Sequence, residues 1–333
     1  MSTASDLADR LSGTIRDHDA ASAIRKGDLS RPERWPLRRR GDIDAYRNAL
    51  LQIAGDAERL LAGRLDERDR ILADAVAYGG RATATRLETS VELTSINPMM
   101  GAVSSALTFL PRHVLVTADH GERYLTRVSA FAPHVDESCE RLVEAAADGV
   151  VPNELAVTAQ IGMIDRALAR GLSDAFAHQA PPSELDRAAA DAWRADLDTR
   201  LAGDVEPALR RLRDTLLAHT LSAARPDDRP GLTHLDGGDE IYRRLLWSHT
   251  SLDVSPEEVH ATGLAQIDRL EDEYRALAGP LLGTDDIDEI YRRLRDDASM
   301  RYDDADRIVA DATTALDRAL AAAPQWFHRL PEA

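Results

Sequence analysis

Hydrophobic residues recur at helical spacing along most of this chain. Residues 42–63 show the pattern clearly, after a possible N-terminal cap at Asp42. Their apolar positions fall on one broad face: Ile43, Tyr46, Leu50, Leu51 and Ile53. Because residues three and four positions apart share a face of an α-helix, this spacing predicts an amphipathic helix. The same spacing predicts a second helix at about 66–89.

The helical period breaks over residues 90–120, where turn-forming and β-branched residues are mixed. We expect a partly buried irregular connection there. Its helix-breaking residues are Asn97, Pro98, Gly101 and Pro111.

Helical spacing returns in the middle of the chain. A helix is expected at about 121–147, and Pro133 should kink or split it because proline lacks the backbone N–H donor. After a break at 149–152, another helix is predicted to about 177. The stretch 183–221 predicts one or two long helices. Their expected bends lie near Gly203 and Pro207.

Residues 225–238 are rich in proline and glycine and form the clearest predicted loop, which is either a linker or a surface loop within one domain. Four more helices are expected after it: at about 239–249, 256–278, 285–296 and 303–323. Gly279 and Pro280 are expected to end the second of these. Its start has the pattern of a capping box, with proline in the first turn. The residues of this start are Ser255, Pro256 and Glu258.

The predicted fold is therefore all-α, a multi-helix array of antiparallel helices, because good helix formers dominate and the gaps between helices are short. We expect a single helical region over residues 1–333. A possible subdivision separates residues 1–224 from residues 239–331 at the 225–238 loop.

Composition limits the partners and the location. The 333 residues carry a net charge of −17, which argues against nucleic acid or anionic membranes as partners. The one run of cations, Arg38–Arg40, is expected on a solvated or carboxylate-paired surface. Cys139 is the only cysteine, so an internal disulfide is excluded and it should pack as a small apolar residue. The sequence shows neither a signal peptide nor a membrane-spanning run, so a cytoplasmic protein is expected.

No recognisable catalytic motif emerges from the residues themselves. The chain has no His-Glu-x-x-His spacing, no Gly-x-Ser-x-Gly and no phosphate-binding glycine loop. The histidine pairs considered as metal ligands do not lie one helical turn apart: His113 with His120, and His249 with His260. The carboxylate pairs Glu257–Glu258 and Asp285–Asp286 stand at predicted helix starts, where anions favour the helix dipole. No catalytic, cofactor-binding or metal-ligating residue is predicted.

Five segments nevertheless resemble one known family. Trp247–Gly263 is similar to the segment "YHT…DLTPEEIH.lGL" of DUF885, a group of bacterial metallopeptidase-like proteins. The other segments resemble this family in the same order: Asn97–Pro111, Gly121–Pro133, Gly149–Leu155 and Gly238–Tyr242. Two places depart from the family pattern. Trp247 and Ser248 precede His249 where the family usually has tyrosine before its His-Thr pair, and Met99–Met100 replaces a polar pair.

The resemblance implies a zinc peptidase whose His-Glu-x-x-His helix and downstream acidic ligand lie beyond Pro331. It therefore implies that this chain is the N-terminal portion, a helical scaffold and cleft wall without zinc of its own, and inactive alone. The alternatives are a stand-alone helical binding protein and one subunit of a split zinc peptidase. The expected partner is the C-terminal zinc-binding half, or a second copy bound through an exposed apolar face.

Trp247 and His249 are the candidates for facing the substrate cleft, because they stand in the segment most similar to the family. The competing interpretation is structural. In that interpretation Trp247 packs in the core and His249 hydrogen-bonds the turn that leads to Ser255.

Overall fold

The computed structural model describes residues 3–18, 20–94, 102–327 and 330. These residues form helices and connecting loops and no strand beyond one isolated parallel bridge between Asn153 and Arg225, which confirms the all-α prediction. The long helices are α1 (Ala4–His18), α2 (Ala20–Lys26), α3 (Arg40–Leu61), α4 (Glu67–Thr89), α5 (Ala118–Ser129), α6 (Phe131–Ala147), α7 (Glu154–Arg170), α8 (Arg187–Arg200 and Glu206–Thr215), α9 (Gly238–Thr250), α10 (Pro256–Leu282), α11 (Ile287–Asp296) and α12 (Ala305–Trp326).

Short helical turns connect several of these helices. They are Val91–Thr94, Ala102–Ser104, Ser105–Phe109, Leu110–Arg112, Leu172–Ala175, Leu232–His234 and Ala298–Met300. The two parts of α8 are joined by the π-helical turn Leu201–Val205, and a second π-helical turn, Leu216–Leu221, extends it. The predicted bend near Gly203 thus takes the form of a π-helical turn.

The chain divides into two compact units, an N-terminal unit (Met1–Val254) and a C-terminal unit (Ser255–Ala333). The boundary lies inside the Trp247–Gly263 segment and not in the loop at 225–238. None of the helices in the described part of the chain is both long enough and apolar enough to cross a membrane.

The N-terminal unit contains one small core between α1, α3 and α4. Helices α3 and α4 run antiparallel, because Arg47 near the start of α3 pairs with Glu88 near the end of α4. They approach closely at Gly80, where a Cβ atom would lie 3.0 Å from the Leu50 carbonyl oxygen and 3.1 Å from the Ala54 Cβ. Glycine is therefore required there for the two backbones to meet.

A larger core fills the space between α2 and helices α5–α8. Its most deeply buried large side chains include Tyr124, Phe131, Ile164 and Leu197. Trp193 donates from its indole nitrogen to the Gly121 carbonyl at 3.2 Å. A Cβ at Gly121 would lie 2.9 Å from that nitrogen, so α8 approaches α5 through a glycine.

Several helix ends differ from the predicted ones. Helix α3 begins at Arg40 with Arg39 in the N-cap position, so the predicted cap at Asp42 is wrong. Helix α10 continues past Gly279 and Pro280, and it ends where Gly283 adopts a left-handed conformation with φ of 70°. The predicted split near Pro133 is confirmed at Ala130, which leaves the proline in the first turn of α6.

Helix α7 is shorter than predicted, because Gly171 with φ of 86° ends it at Arg170. Residues Asn97–Met100 and Gly101 of the predicted irregular connection lie outside the described residues.

The cation run is paired as expected: Arg39 with Glu137 at 3.1 Å, and Arg40 with Glu144 at 3.1 Å. Cys139 is half-buried against the larger core, as predicted.

Candidate functional site

The end of helix α9 is held against helix α4 by one backbone oxygen. The carbonyl of Ser248 accepts a hydrogen bond from the Tyr78 hydroxyl at 3.0 Å and another from the Arg86 guanidinium at 3.1 Å. Trp247 packs edge-on against Tyr78, with ring centroids 5.6 Å apart. The residues before the His-Thr pair therefore attach α9 to α4.

Ion pairs strengthen the same attachment. Glu88 on α4 accepts from Arg244 on α9 at 2.7 Å and lies 3.9 Å from Arg47 on α3. These groups are partly exposed, so each pair contributes on the order of 0–1 kcal/mol. Their main effect is to fix the register of α9 against the α3–α4 pair.

The two predicted cleft residues differ in their surroundings. Trp247 is half-buried against Tyr78, whereas the His249 side chain is exposed. Ser251, in a left-handed conformation with φ of 60°, ends α9 and donates its backbone N–H to the Trp247 carbonyl at 2.9 Å. These contacts account for Trp247 as a packing residue. A role for either residue in a substrate cleft stays a prediction.

The start of α10 has the capping geometry that the sequence indicates. The Ser255 hydroxyl accepts from the Glu258 backbone N–H at 3.1 Å, and the Glu258 carboxylate accepts from the Ser255 N–H at 2.8 Å. The hydrogen bonds from the Ser255 backbone and side chain lower the pKa of Glu258. Asp286 caps α11 in a similar way, at 3.0 Å from the Asp288 N–H. These carboxylates are explained by helix capping.

Helix α10 carries an apolar stripe that the C-terminal unit does not bury. The stripe residues recur at intervals of three, four and eight positions, which places them on one face of the helix. They are Val259 (39% exposed), Ile267 (54%), Leu270 (44%), Tyr274 (41%), Leu277 (73%) and Leu281 (85%).

Helix α12 has a second exposed apolar face. Its residues are Ile308 (49% exposed), Val309 (64%), Leu316 (59%), Leu320 (60%) and Trp326 (79%). Among the described residues of the C-terminal unit, Ile290 is the only hydrophobic side chain that is buried. We refer to the α10 stripe and this α12 surface together as the exposed apolar face.

A small hairpin contact is the main packing within the C-terminal unit. Tyr274 on α10 meets Tyr291 on α11 edge-on, with ring centroids 5.3 Å apart. Arg293 donates to the Leu282 carbonyl at 2.8 Å, and Ile290 is fully buried beside this contact. The hairpin covers part of the α10 stripe and leaves Leu277 and Leu281 open.

The histidines considered as zinc ligands have other surroundings. His113 is buried and its Nε2 lies 2.6 Å from the Ile24 carbonyl oxygen, while burial lowers its pKa. In residues 3–18, 20–94, 102–327 and 330, no three or more His, Cys, Asp or Glu side chains are grouped so that they could hold a metal ion. The described residues therefore do not fit the zinc ion that the family resemblance implies, and none of them is assigned zinc chemistry.

The fold defines a class of helical protein in which a larger, well-buried helical unit is followed by helices with exposed apolar faces. Residues 22–333 match the family model described as "Bacterial protein of unknown function (DUF885)". The chain belongs to the DUF885 family.

A solved structure shares this fold. It is the protein from Colwellia psychrerythraea described as a "putative lipoprotein", with a TM-score of 0.77 and 15% sequence identity. The alignment covers 99% of this chain and 61% of that protein, so this chain spans less than two thirds of its structural relative. Comparison with curated proteins found no match.

Proposed function

We propose that this chain is the helical scaffold of a larger DUF885 assembly, and that the exposed apolar face of α10 and α12 packs against the rest of that assembly. The observation that carries the proposal is the contrast between the two units. The N-terminal unit buries its apolar residues in two cores, whereas the C-terminal unit buries Ile290 alone among its described hydrophobic residues.

Helix stability supports the same proposal. Single helices are marginal in water, and most of their stability in proteins comes from packing an amphipathic face. Apart from Ala322 and Ala323, every residue of α12 is exposed. A helix of 22 residues with five large apolar side chains on its surface therefore needs a covering partner.

The occupant that we propose is the further polypeptide present in longer proteins of the same fold. The structural relative from Colwellia psychrerythraea has the additional length, since this chain spans 61% of it. We take that further part to be the zinc-binding half that the DUF885 resemblance implies, so the scaffold would form one wall of a cleft, with Trp247 and His249 as candidates to face it. On this proposal the 333-residue chain alone does not hydrolyse peptides. A cytoplasmic location stays a prediction.

Binding to the further part of the fold, expressed as a separate polypeptide, tests the proposal. Burying one exposed leucine contributes about 1.5–3 kcal/mol. The double substitution Leu270→Glu with Leu277→Glu should therefore weaken binding at least about a hundredfold in calorimetry. The matched control is Ala265→Glu with Ala276→Glu, which adds the same charge to exposed positions on the opposite face of α10.

Three outcomes would contradict the proposal. One is equal weakening by the two double variants. Another is a purified wild-type chain that stays monomeric and binds no apolar dye. The third is chelator-sensitive peptidase activity of the 333-residue chain by itself. Self-association that only the leucine variant abolishes would instead assign the face to a second copy of this chain.

A further inference from the structure

Two adjoining cavities open in the N-terminal unit, on the side where α1 and α2 meet. The first, which we call the α1–α2 cavity, has a volume of about 530 Å³, and the second, the arginine cavity, about 340 Å³. They share the residues Arg16, Ala23 and Asp28. Both volumes lie in the range of sites for small organic ligands.

The arginine cavity has a buried positive charge in its wall. Arg127 on α5 is 1% exposed, and its guanidinium donates to the carbonyl oxygens of Asp28 at 2.5 Å, Arg31 at 2.8 Å and Pro32 at 3.4 Å. All three of these acceptors are neutral backbone groups. Burial lowers the pKa of Arg127, and the carboxylates of Asp28 and Glu33 act on it only through space. A buried cation without a hydrogen-bonded carboxylate favours an anion nearby.

Further cations surround the same space. Arg31 and Arg34 line the arginine cavity, and both contact Asp17, Arg31 through an ion pair of 2.7 Å and Arg34 through the backbone carbonyl. Arg16 and Lys26 line the α1–α2 cavity, and neither forms an ion pair with the described residues. Five cations line the two cavities, against the carboxylates of Asp17 and Asp28 in the same walls and of Glu33 beside Arg34, so the cations outnumber the carboxylates here in a protein whose net charge is −17.

Part of the α1–α2 cavity lining is apolar. It consists of Ala8, Leu11 and Ile15 on α1 and Ala75 and Val76 on α4. An apolar wall beside a cationic rim is complementary to a molecule with an apolar tail and an anionic head group.

We infer that the α1–α2 cavity binds a small anionic amphiphile, with the apolar tail against Leu11, Ile15 and Val76 and the head group at Arg16 and Lys26, on the side where Arg16 is shared with the arginine cavity. The shared chemistry of the ligand is a single anionic head on a short aliphatic chain. A fatty carboxylate and an alkyl phosphate monoester both fit this description, and the test below distinguishes between them.

Calorimetry with octanoate, octyl phosphate, 1-octanol, octylammonium and inorganic phosphate tests this inference on the full chain. We expect one saturable site per chain for octanoate or octyl phosphate, at least about tenfold tighter than for the other three compounds, since each of those lacks the anionic charge or the tail. Whichever of octanoate and octyl phosphate binds with the lower Kd identifies the head group as a carboxylate or a phosphate.

Variants locate the site. Arg16→Gln with Lys26→Gln should weaken binding of the anionic amphiphile at least about tenfold, and both side chains are exposed, so the fold should tolerate the change. Arg25→Gln is the matched control, because Arg25 is an exposed cation next to Lys26 on α2 and does not line either cavity. Ile15→Ala should weaken binding of octanoate and leave inorganic phosphate unchanged.

The inference is overturned if neither anionic amphiphile binds at millimolar concentration. It is also overturned if 1-octanol or octylammonium binds as tightly as octanoate, or if Arg25→Gln weakens binding as much as the double variant. These readouts concern the N-terminal unit, so they stand or fall separately from the exposed apolar face.

Discussion

Arg127 offers the sharpest test of how the N-terminal unit is held together. Its guanidinium donates to three backbone carbonyls of the segment that follows α2, those of Asp28, Arg31 and Pro32. The Trp35 indole donates back to the Arg127 carbonyl at 3.1 Å. Replacing Arg127 with methionine keeps the apolar stem and removes every one of the guanidinium bonds.

The expected loss follows from those bonds. Two of them are short, and a hydrogen bond to a charged group contributes about 1.5–3 kcal/mol, while the bond to Pro32 at 3.4 Å adds little. Removing the buried charge recovers part of its desolvation cost. Arg127→Met should therefore lower the free energy of unfolding by about 2–4 kcal/mol. Arg127→Lys should fall between wild type and methionine, because an ammonium group cannot reach three carbonyls in a planar fan.

Urea unfolding, followed by tryptophan fluorescence, measures this difference. The control is Arg123→Met on the same helix, because the Arg123 side chain is 42% exposed and, among the described residues, its one ion pair is with Asp119 at 2.7 Å. That change should cost less than about 0.5 kcal/mol. Equal stability of Arg127→Met and Arg123→Met would refute the role assigned to the buried guanidinium.

Two further predictions concern the same unit. Gly121→Ala places a Cβ 2.9 Å from the Trp193 indole nitrogen, so it should lower the free energy of unfolding by about 1–3 kcal/mol. Thermal melting measures this loss. The control is Gly203→Ala, because the added Cβ there would meet no atom within 4 Å. His134 is 4% exposed, and burial, with Arg38 nearby, lowers its pKa well below the usual value. Because the unfolded chain then binds a proton more readily than the folded chain, the free energy of unfolding should fall as the pH drops below about 6.5. The fall is up to about 1.4 kcal/mol per pH unit. His134→Phe should flatten that slope in urea titrations between pH 7 and 5, and an unchanged slope would contradict the assignment.

Local sequence patterns were sufficient for much of the helical framework. The capping box at Ser255 and Glu258 involves residues three positions apart, so its geometry follows from the chain order alone. The helix at 66–89 and the break near Pro133 were predictable for the same reason. The predicted end of α10 at Gly279 was wrong. The residue that ends the helix in a left-handed conformation is Gly283, and Pro280 lies within the last turn of the helix.

The sites depend on contacts between distant residues. Arg16 joins Lys26 in one cavity and Arg127 in the adjoining one only after α1, α2 and α5 have packed. A buried arginine is rare enough that sequence reasoning places it on the surface. Tyr78 and Arg86 meet the Ser248 carbonyl across more than 160 residues, a separation that no local pattern encodes.

The sequence by itself determined the helical class, the family and the amphipathic faces, because periodicity, capping and family motifs are written in neighbouring positions. Only the tertiary structure decided which faces are covered. The stripe of α10 and the core face of α3 have the same kind of spacing, yet Leu50 is fully buried and Leu277 is 73% exposed. The difference lies in what packs against each helix, and burial is a property of the assembled helices that hydrophobic spacing alone does not specify.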